Sequence, residues 1–325
     1  MMKKLESRNF NVVIENNDYI IKTGKSNKIN CEYQWLEHVN QMLGPNDLFP
    51  DVKLEKTGTY SYLKIHGKIL ADVFRREGIS EQKQIDIIQK VLKLTQTYQR
   101  GNVSVKHAEE LARQVYLTNT MKRLQNWYKF ESIKMQPIYV NKVKIPPFIE
   151  IKPKFDRLIH KNLLQNINRY WGIIHGDLNF TNIIINKSKI HFIDPKGSFG
   201  GAPSLFGDTR YDLAKLRQCY EGNYDLIALK RVKIRKSDNG LTILLPPVLS
   251  LKTVNKMDCI LSQFALAKEF KLIEAIQFFS MIPLHNEDEN AQLYFYSKAM
   301  ALAWNLISQT KSEDNNKVEI FVNGD

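Results

Sequence analysis

Apolar and polar positions alternate near the start of the chain and recur every three to four residues over most of the remainder, the two periods that separate strands from helices. NVVIE (11–15) and DYIIK (18–22) are β-rich runs split by Asn16-Asn17, good turn residues, and predict a hairpin. In CEYQWLEHVNQML (31–43) the apolar residues Tyr33, Leu36, Val39 and Leu43 fall at helical spacing, and Gly44-Pro45 ends the run. VKLEK (52–56) and TYSYLKI (59–65) predict two further strands.

Beyond residue 68 the pattern turns helical. ILADVFRRE (69–77) predicts a short helix closed by Gly78, and Ser80 predicts the N-cap of a longer one over 81–98. Glu81 suits its first turn, although Lys83 stands where a full capping box needs Glu or Gln. Helices are also expected over 105–130 and 154–170, with QPIYVNKVKIPPFIE (136–150) irregular between them. Residues 171–194 read as strand, loop, strand, turn and strand, and DTRYDLAKLRQCYEG (208–222) as a helix. KRVKI and LTILLP predict a small hairpin around Asp238-Asn239-Gly240, and helices are expected over 251–279 and 287–309, before a polar tail from Lys311. The order predicts an α+β, two-lobed architecture: a small β-rich lobe over 1–66, a connector near 63–68, and a larger, mainly helical lobe over 67–325.

A chain of 325 residues with 43% hydrophobic and 25% charged content fits an ordinary globular protein of one large or two medium domains. No apolar run approaches the roughly 20 residues that span a bilayer, and the lysines of MMKKLESRNF lead into no apolar leader segment. Cys31, Cys219 and Cys259 form no zinc or redox spacing, so a cytoplasmic setting is expected. The net charge of +13 is concentrated: residues 61–175 carry 21 basic and 9 acidic side chains, whereas 1–60 carry 8 and 8, and 176–325 carry 18 and 17. No nucleic-acid-binding motif accompanies that surplus, so solvated helix faces are expected rather than a nucleic-acid partner.

The stretch WGIIHGDLNFTNIIINKSKIHFIDPKG (171–197) carries the candidate chemistry. Asp177 follows an apolar strand, Asn182 lies five residues on, and Asp194 closes the next pair of apolar runs. Carboxylates between buried strands are costly unless paired or metal-bound. An Asn amide oxygen and a carboxylate are hard ligands suited to Mg²⁺, and a second carboxylate off the metal can orient a hydroxyl and accept its proton.

HGDLNFTN resembles the H-R-D-L-x-x-x-N catalytic loop of protein kinases, with Gly176 in place of Arg, and its His-Gly-Asp form is similar to the aminoglycoside phosphotransferase and choline kinase family. IHFIDPKG resembles that family's Ile-Asp-x-x-Gly motif. The resemblance implies a kinase-like fold using ATP and Mg²⁺, with a small-molecule hydroxyl acceptor. It implies Asp177 as catalytic base, Asn182 and Asp194 as Mg²⁺ ligands, and His175 as a structural brace. It further implies Lys22 as the strand lysine on the phosphates and Glu32, at the start of the following helix, as its partner, with Glu37 as the rival. No Gly-rich loop precedes Lys22, since the first glycine is Gly24. Ser7, Arg8 and Asn9 are the expected phosphate-loop contacts, the Asn16-Asn17 turn being the other candidate, and the backbone of Lys64 and Ile65 is expected against the adenine.

GDTRYDLAKL resembles the family's segment after the metal aspartate, which implies that Asp212 braces the catalytic loop and places Asp208 and Arg210 on the acceptor side. The longer string DPKGSFGGAPSLFGDTRYDLAKL is similar to a branch associated with bacterial capsule and surface-glycan synthesis, where Arg is expected at the position of Lys196. The balanced charge of 176–325, with Lys196, Arg210 and Lys215 close to the motifs, favours a sugar, polyol or sugar phosphate over a cationic choline or aminoglycoside acceptor. Tyr294, Phe295, Tyr296 and Trp304 read as core first and as a sugar-stacking platform second. A catalytically inactive kinase-like module and a protein kinase are the competing readings. The first is weakened because Lys22, Asp177 and Asp194 are all present, the second because no Ala-Pro-Glu segment follows Asp194.

Overall fold

The computed structural model describes residues 3–5, 11–15, 18–76, 78–98, 105–228, 233–237, 240–244 and 249–311. Packing divides the chain into two compact units, Met1–Asn102 with Trp171–Asp212, and Val103–Tyr170 with Leu213–Asp325.

The first unit is built on an antiparallel sheet in the order β1-β2-β3-β5-β4, with β1 Lys3–Leu5, β2 Asn11–Glu15, β3 Tyr19–Gly24, β4 Val52–Lys56 and β5 Thr59–Leu63. The expected hairpin forms with Ile14 opposite Ile21, and β1 is an addition that the pattern did not announce. On β3 the inward positions are Ile20 and Lys22, so strict alternation carries a lysine into the interior, directly across from Tyr60 on β5.

Helix α1 (Ser26–Leu43) starts a turn earlier than the apolar pattern suggests, because Ile29 extends the buried stripe toward the amino terminus. Ile29, Leu36 and Val39 are all fully buried, and Glu32 occupies the stripe position between Ile29 and Leu36. Glu32 therefore lies in the second turn rather than opening the helix. Gly44 ends α1 at φ 69°, a left-handed value natural to glycine. After β6 (Lys68–Ile69) and α2 (Leu70–Arg76), Ser80 caps α3 (Glu81–Thr95) as expected, its hydroxyl accepting the Lys83 amide at 3.3 Å.

The rest of this unit is the motif segment. The strands Ile183–Asn186 and Lys189–Phe192 form a hairpin to which β6 adds, and Trp171–Ile173 pairs with Phe206–Asp208. That last pairing joins the strand before His175 to the strand before the helix Arg210–Tyr220, and so brings Asp212 to the loop that carries Asp177.

The second unit is helical. Its centre is the pair Ala267–Met281 and Glu289–Lys311, apolar on nearly all sides and almost wholly buried. Tyr294, Phe295 and Tyr296 are buried there against Phe278 and Phe279, so this run is core and not a stacking platform. The region expected to be irregular instead holds a hairpin, Ile138–Val140 with Val143–Ile145, turned by Asn141 and Lys142 at positive φ. The expected helix over 105–130 is interrupted at Gln114–Thr118 by a wider turn, and the expected helix over 251–279 is two, Leu251–Leu261 and Ala267–Met281.

A buried ionic cluster crosses this unit. Arg217 meets Asp258 at 3.0 Å, Glu221 at 3.1 Å and Glu274, while Lys298 meets Glu221 at 2.5 Å. Arg217 is the hub because three carboxyl groups surround one guanidinium whose donors fan out in a plane. No described helix is long and apolar enough to cross a membrane.

Candidate active site

The site is assembled within the first unit. Lys22 is 4% exposed, and its ammonium lies 2.7 Å from Glu32 and 3.0 Å from Asp194. Burial works against the charged amine, but the carboxylates of Asp194 and Glu32 outweigh it and hold the Lys22 pKa above the ordinary lysine value. Tyr60 donates its hydroxyl to Glu32 at 3.3 Å, and Lys28 stands 3.8 Å from the other oxygen. The choice of partner is thereby settled: Lys22 takes Glu32, whereas Glu37 accepts the Tyr33 hydroxyl at 2.7 Å on another face of α1.

Asp177 is half-buried on the loop after Trp171–Ile173. The Asn182 amide donates to the Asp177 carbonyl at 2.8 Å and to its carboxylate at 3.1 Å. The Asn182 amide oxygen faces the Thr181 hydroxyl at 3.4 Å, a long contact beside its two amide donations. Asp194 adopts φ 59°, a left-handed conformation that Asp tolerates better than most residues and that persists only where the surrounding structure holds it.

His175 is fully buried. Its Nδ1 receives the Asp177 amide at 3.3 Å, which leaves the proton on Nε2 to donate to the Ile193 carbonyl at 2.9 Å. Burial depresses its pKa to about 4, so the imidazole is neutral at ordinary pH and ties the Asp177 loop to the chain just before Asp194. Asp212, in the first turn of Arg210–Tyr220, accepts the His175 amide and the Gly176 amide, each at 2.8 Å. Gly176 sits at φ 76°, and a Cβ there would press against Lys196 Cβ at 2.9 Å, so the crowding matches the Gly found in this position.

Other expected residues fall differently. Asp208 and Arg210 are fully buried and paired with each other, with Arg210 Nη2 to Asp208 Oδ2 at 2.7 Å, an internal arrangement rather than one facing an acceptor. Lys196 is half-buried; its amide donates to the His175 carbonyl at 2.8 Å and its ammonium lies 5.3 Å from the Tyr211 ring centre. The Lys64 amide donates to the Asp18 carbonyl at 2.8 Å and its side chain pairs with Glu15, so in the expected adenine-facing pair that N–H is already engaged. Ser7 and Asn9, with Arg8 and the Asn16-Asn17 turn, lie outside the described residues. The sequence reading missed Tyr60 and Trp35. Tyr60 was visible only as an inward position of β5 opposite Lys22, and the bond from Trp35 Nε1 to the Ile174 carbonyl at 2.9 Å had no local signal.

Among the described residues no three His, Cys, Asp or Glu side chains cluster as a metal site. The Asp194 carboxylate and the Asn182 amide oxygen are hard oxygen donors of the kind a magnesium ion takes.

No protein-family model matches the chain, and no curated protein matches its sequence. Solved structures do match its fold. The ADP-bound aminoglycoside phosphotransferase APH(2'')-Ib aligns with a TM-score of 0.54 at 12% identity, over 94% of each chain. APH(2'')-IIIa in complex with GDP and kanamycin gives 0.55 at 14% identity, over 97% of this chain and 94% of the other. Choline kinase from Cryptosporidium parvum Iowa II gives 0.53 at 12% identity, over 96% and 89%. The fold is thus the α+β, protein-kinase-like one. Within that class it is the fold shared by aminoglycoside phosphotransferases and choline kinases.

Proposed function

We propose that this chain is an ATP- and Mg²⁺-dependent phosphotransferase that moves the γ-phosphate to a hydroxyl of a small molecule, a sugar, polyol or sugar phosphate. The observation that carries the reading is Lys22, whose buried ammonium bridges Glu32 and Asp194. That cation can stay in the interior because two carboxylates hold it, and it would meet the phosphate oxygens beside a metal ion held by Asp194. Mg²⁺ on Asp194 and Asn182 would neutralise charge on the phosphates. Asp177 would orient the acceptor hydroxyl and take its proton, held in place by Asn182 and by the neutral His175.

Residues 1–66 would supply the nucleotide side, with Ser7 and Asn9 over the phosphates and the backbone at Lys64 and Ile65 against the adenine. Residues 67–325 would supply the catalytic loop and the acceptor contacts, Lys196 among them. Asp208 and Arg210, paired and buried, would serve as scaffold. The cytoplasm is the proposed compartment, and capsule or surface-glycan synthesis the proposed setting. Support for the acceptor class is the charge of 176–325, 18 basic against 17 acidic residues, which offers no acidic surplus to a cation. Kanamycin in one matched structure and choline kinase as another make cationic acceptors the second reading.

The test is MgATP turnover against sugars, sugar phosphates, polyols, choline and aminoglycosides, beside Asp177→Ala. Acceptor-dependent ADP release that disappears in the variant is expected with a neutral or anionic acceptor. Turnover only with choline or an aminoglycoside would overturn the acceptor class, and failure to bind MgATP would overturn the reading as a whole.

A further inference from the structure

Helix α1 does more than present Glu32. Its turn from Cys31 to Trp35 touches both functional loops within the first unit. A Cβ on Gly197 would collide with the Cys31 carbonyl, so that glycine, at φ 63°, lets the loop after Asp194 lie directly on the helix backbone. Three residues beyond Glu32, Trp35 sends its indole N–H to the Ile174 carbonyl at 2.9 Å, a bond spanning 139 residues of sequence. Ile174 stands three residues before Asp177. Its own amide donates to the Leu205 carbonyl at 3.1 Å, so both of its backbone groups are tied.

Trp35 is 1% exposed, and its ring meets Phe49 edge-on at 5.0 Å and His175 at 6.0 Å. A buried indole needs an acceptor somewhere. What distinguishes this one is that its acceptor belongs to the catalytic loop, and that the ring also packs on the histidine bracing that loop.

We propose that Trp35 is a positioning residue for phosphotransfer: its N–H ties α1 to the catalytic loop, so that Glu32, and through it Lys22, keeps register with Asp177. The inference rests on the phosphotransferase reading for its effect on rate, but the tether itself is a structural property that can be tested alone. Loss of the N–H leaves the Ile174 carbonyl buried without its donor, while the aromatic packing is largely retained by phenylalanine.

The experiment uses the full chain and Trp35→Phe, with three readouts. Hydrogen exchange followed by mass spectrometry should speed up by about tenfold over residues 172–178, with β2 and β3 unchanged, since a lost buried hydrogen bond is worth a factor of this order. MgADP affinity should stay within about threefold, because Lys22, Glu32 and Asp194 are untouched. The kcat for phosphotransfer, or for slow MgATP hydrolysis to water, should fall by about tenfold with KM for MgATP nearly constant, the signature of lost transition-state positioning. In the unaltered chain, the Trp35 indole proton followed by NMR should exchange at the rate of the 172–178 amides, which needs no variant and stands even if Trp35→Phe fails to fold.

Unchanged exchange at 172–178, or a uniform rise across the unit with kcat and KM altered together, would overturn the tether in favour of plain core packing. A Trp35 indole proton exchanging independently of those amides would do the same. If the unaltered chain neither binds MgADP nor hydrolyses MgATP, the phosphotransferase reading fails, while the exchange measurements still decide the tether.

Discussion

Asp212 accepts the backbone amide of His175 at 2.8 Å across 37 residues of sequence. Its other oxygen accepts the next amide, so a single carboxylate satisfies two adjacent donors of the loop that carries Asp177. The position is available because Asp212 lies in the first turn of a helix whose preceding strand pairs with the strand before His175. Asp212→Asn removes one acceptor and turns an amide nitrogen toward a backbone N–H. A loss of about 2 kcal/mol in urea unfolding is expected, the cost of leaving a buried donor unmet. Unfolding free energy equal to that of the unaltered chain would reject the brace.

Lys22→Met leaves Glu32 buried beside Asp194 without its cation. Turnover is expected to fall by about a hundredfold, as when one preorganised donor is lost from a phosphate site. Lys22→Arg should recover little of it, because the planar guanidinium does not fit a point contact between two carboxylates. Steady-state rates on whichever acceptor of the panel supports turnover decide this, and full activity in Lys22→Met would remove Lys22 from the site.

His175 titrates near pH 4 in the folded chain against an ordinary value of 6.5. The unfolded chain therefore takes up the proton first as the pH drops. Its contribution is complete above about pH 6.5, declines between there and about pH 4, and reaches about 3 kcal/mol at full effect. Unfolding free energies from pH 8 to pH 4 should show this decline, and His175→Gln should show a shallower one. Parallel curves would mean that the imidazole is not held neutral.

In the second unit Glu274 is pushed up to about 8 by burial, while Glu221 is drawn down to about 2 by Lys298 and Arg217 despite its own burial. A carboxyl with a raised folded pKa stabilises in its protonated form, so its contribution is full below about pH 4.5 and is lost as the pH climbs through 8. Glu274→Gln copies the protonated form and should be nearly neutral at pH 7 and stabilising at pH 9. Glu221→Gln strips a buried charge of its partner and should cost about 3 kcal/mol. Thermal unfolding of both variants at the two pH values checks the contrast, and equal losses would show that both carboxyls are ionised in the fold.

The strand and motif residues were legible because their placement is local. Two-residue alternation puts Lys22 on the inner face of β3 whatever it packs against. The spacing of Asp177, Asn182 and Asp194 was legible because a short loop and one hairpin fix their separation. The hairpin at 138–145 was obscured by the prolines that follow it, although Ile138, Val140 and Ile145 alternate inward.

The sequence by itself determined the kinase-like order of elements, the inward lysine, the loop residues and the helix-start position of Asp212. Only the tertiary structure decided that Lys22 meets Glu32 and not Glu37, because helix phase depends on Ile29 joining the buried stripe. Packing also buried the local Asp208–Arg210 pair and brought the Trp35 indole to the Ile174 carbonyl. Periodicity sets which face of an element a residue occupies. Which distant partner waits on that face is set by how the elements close on one another, and no local spacing in the chain encodes it.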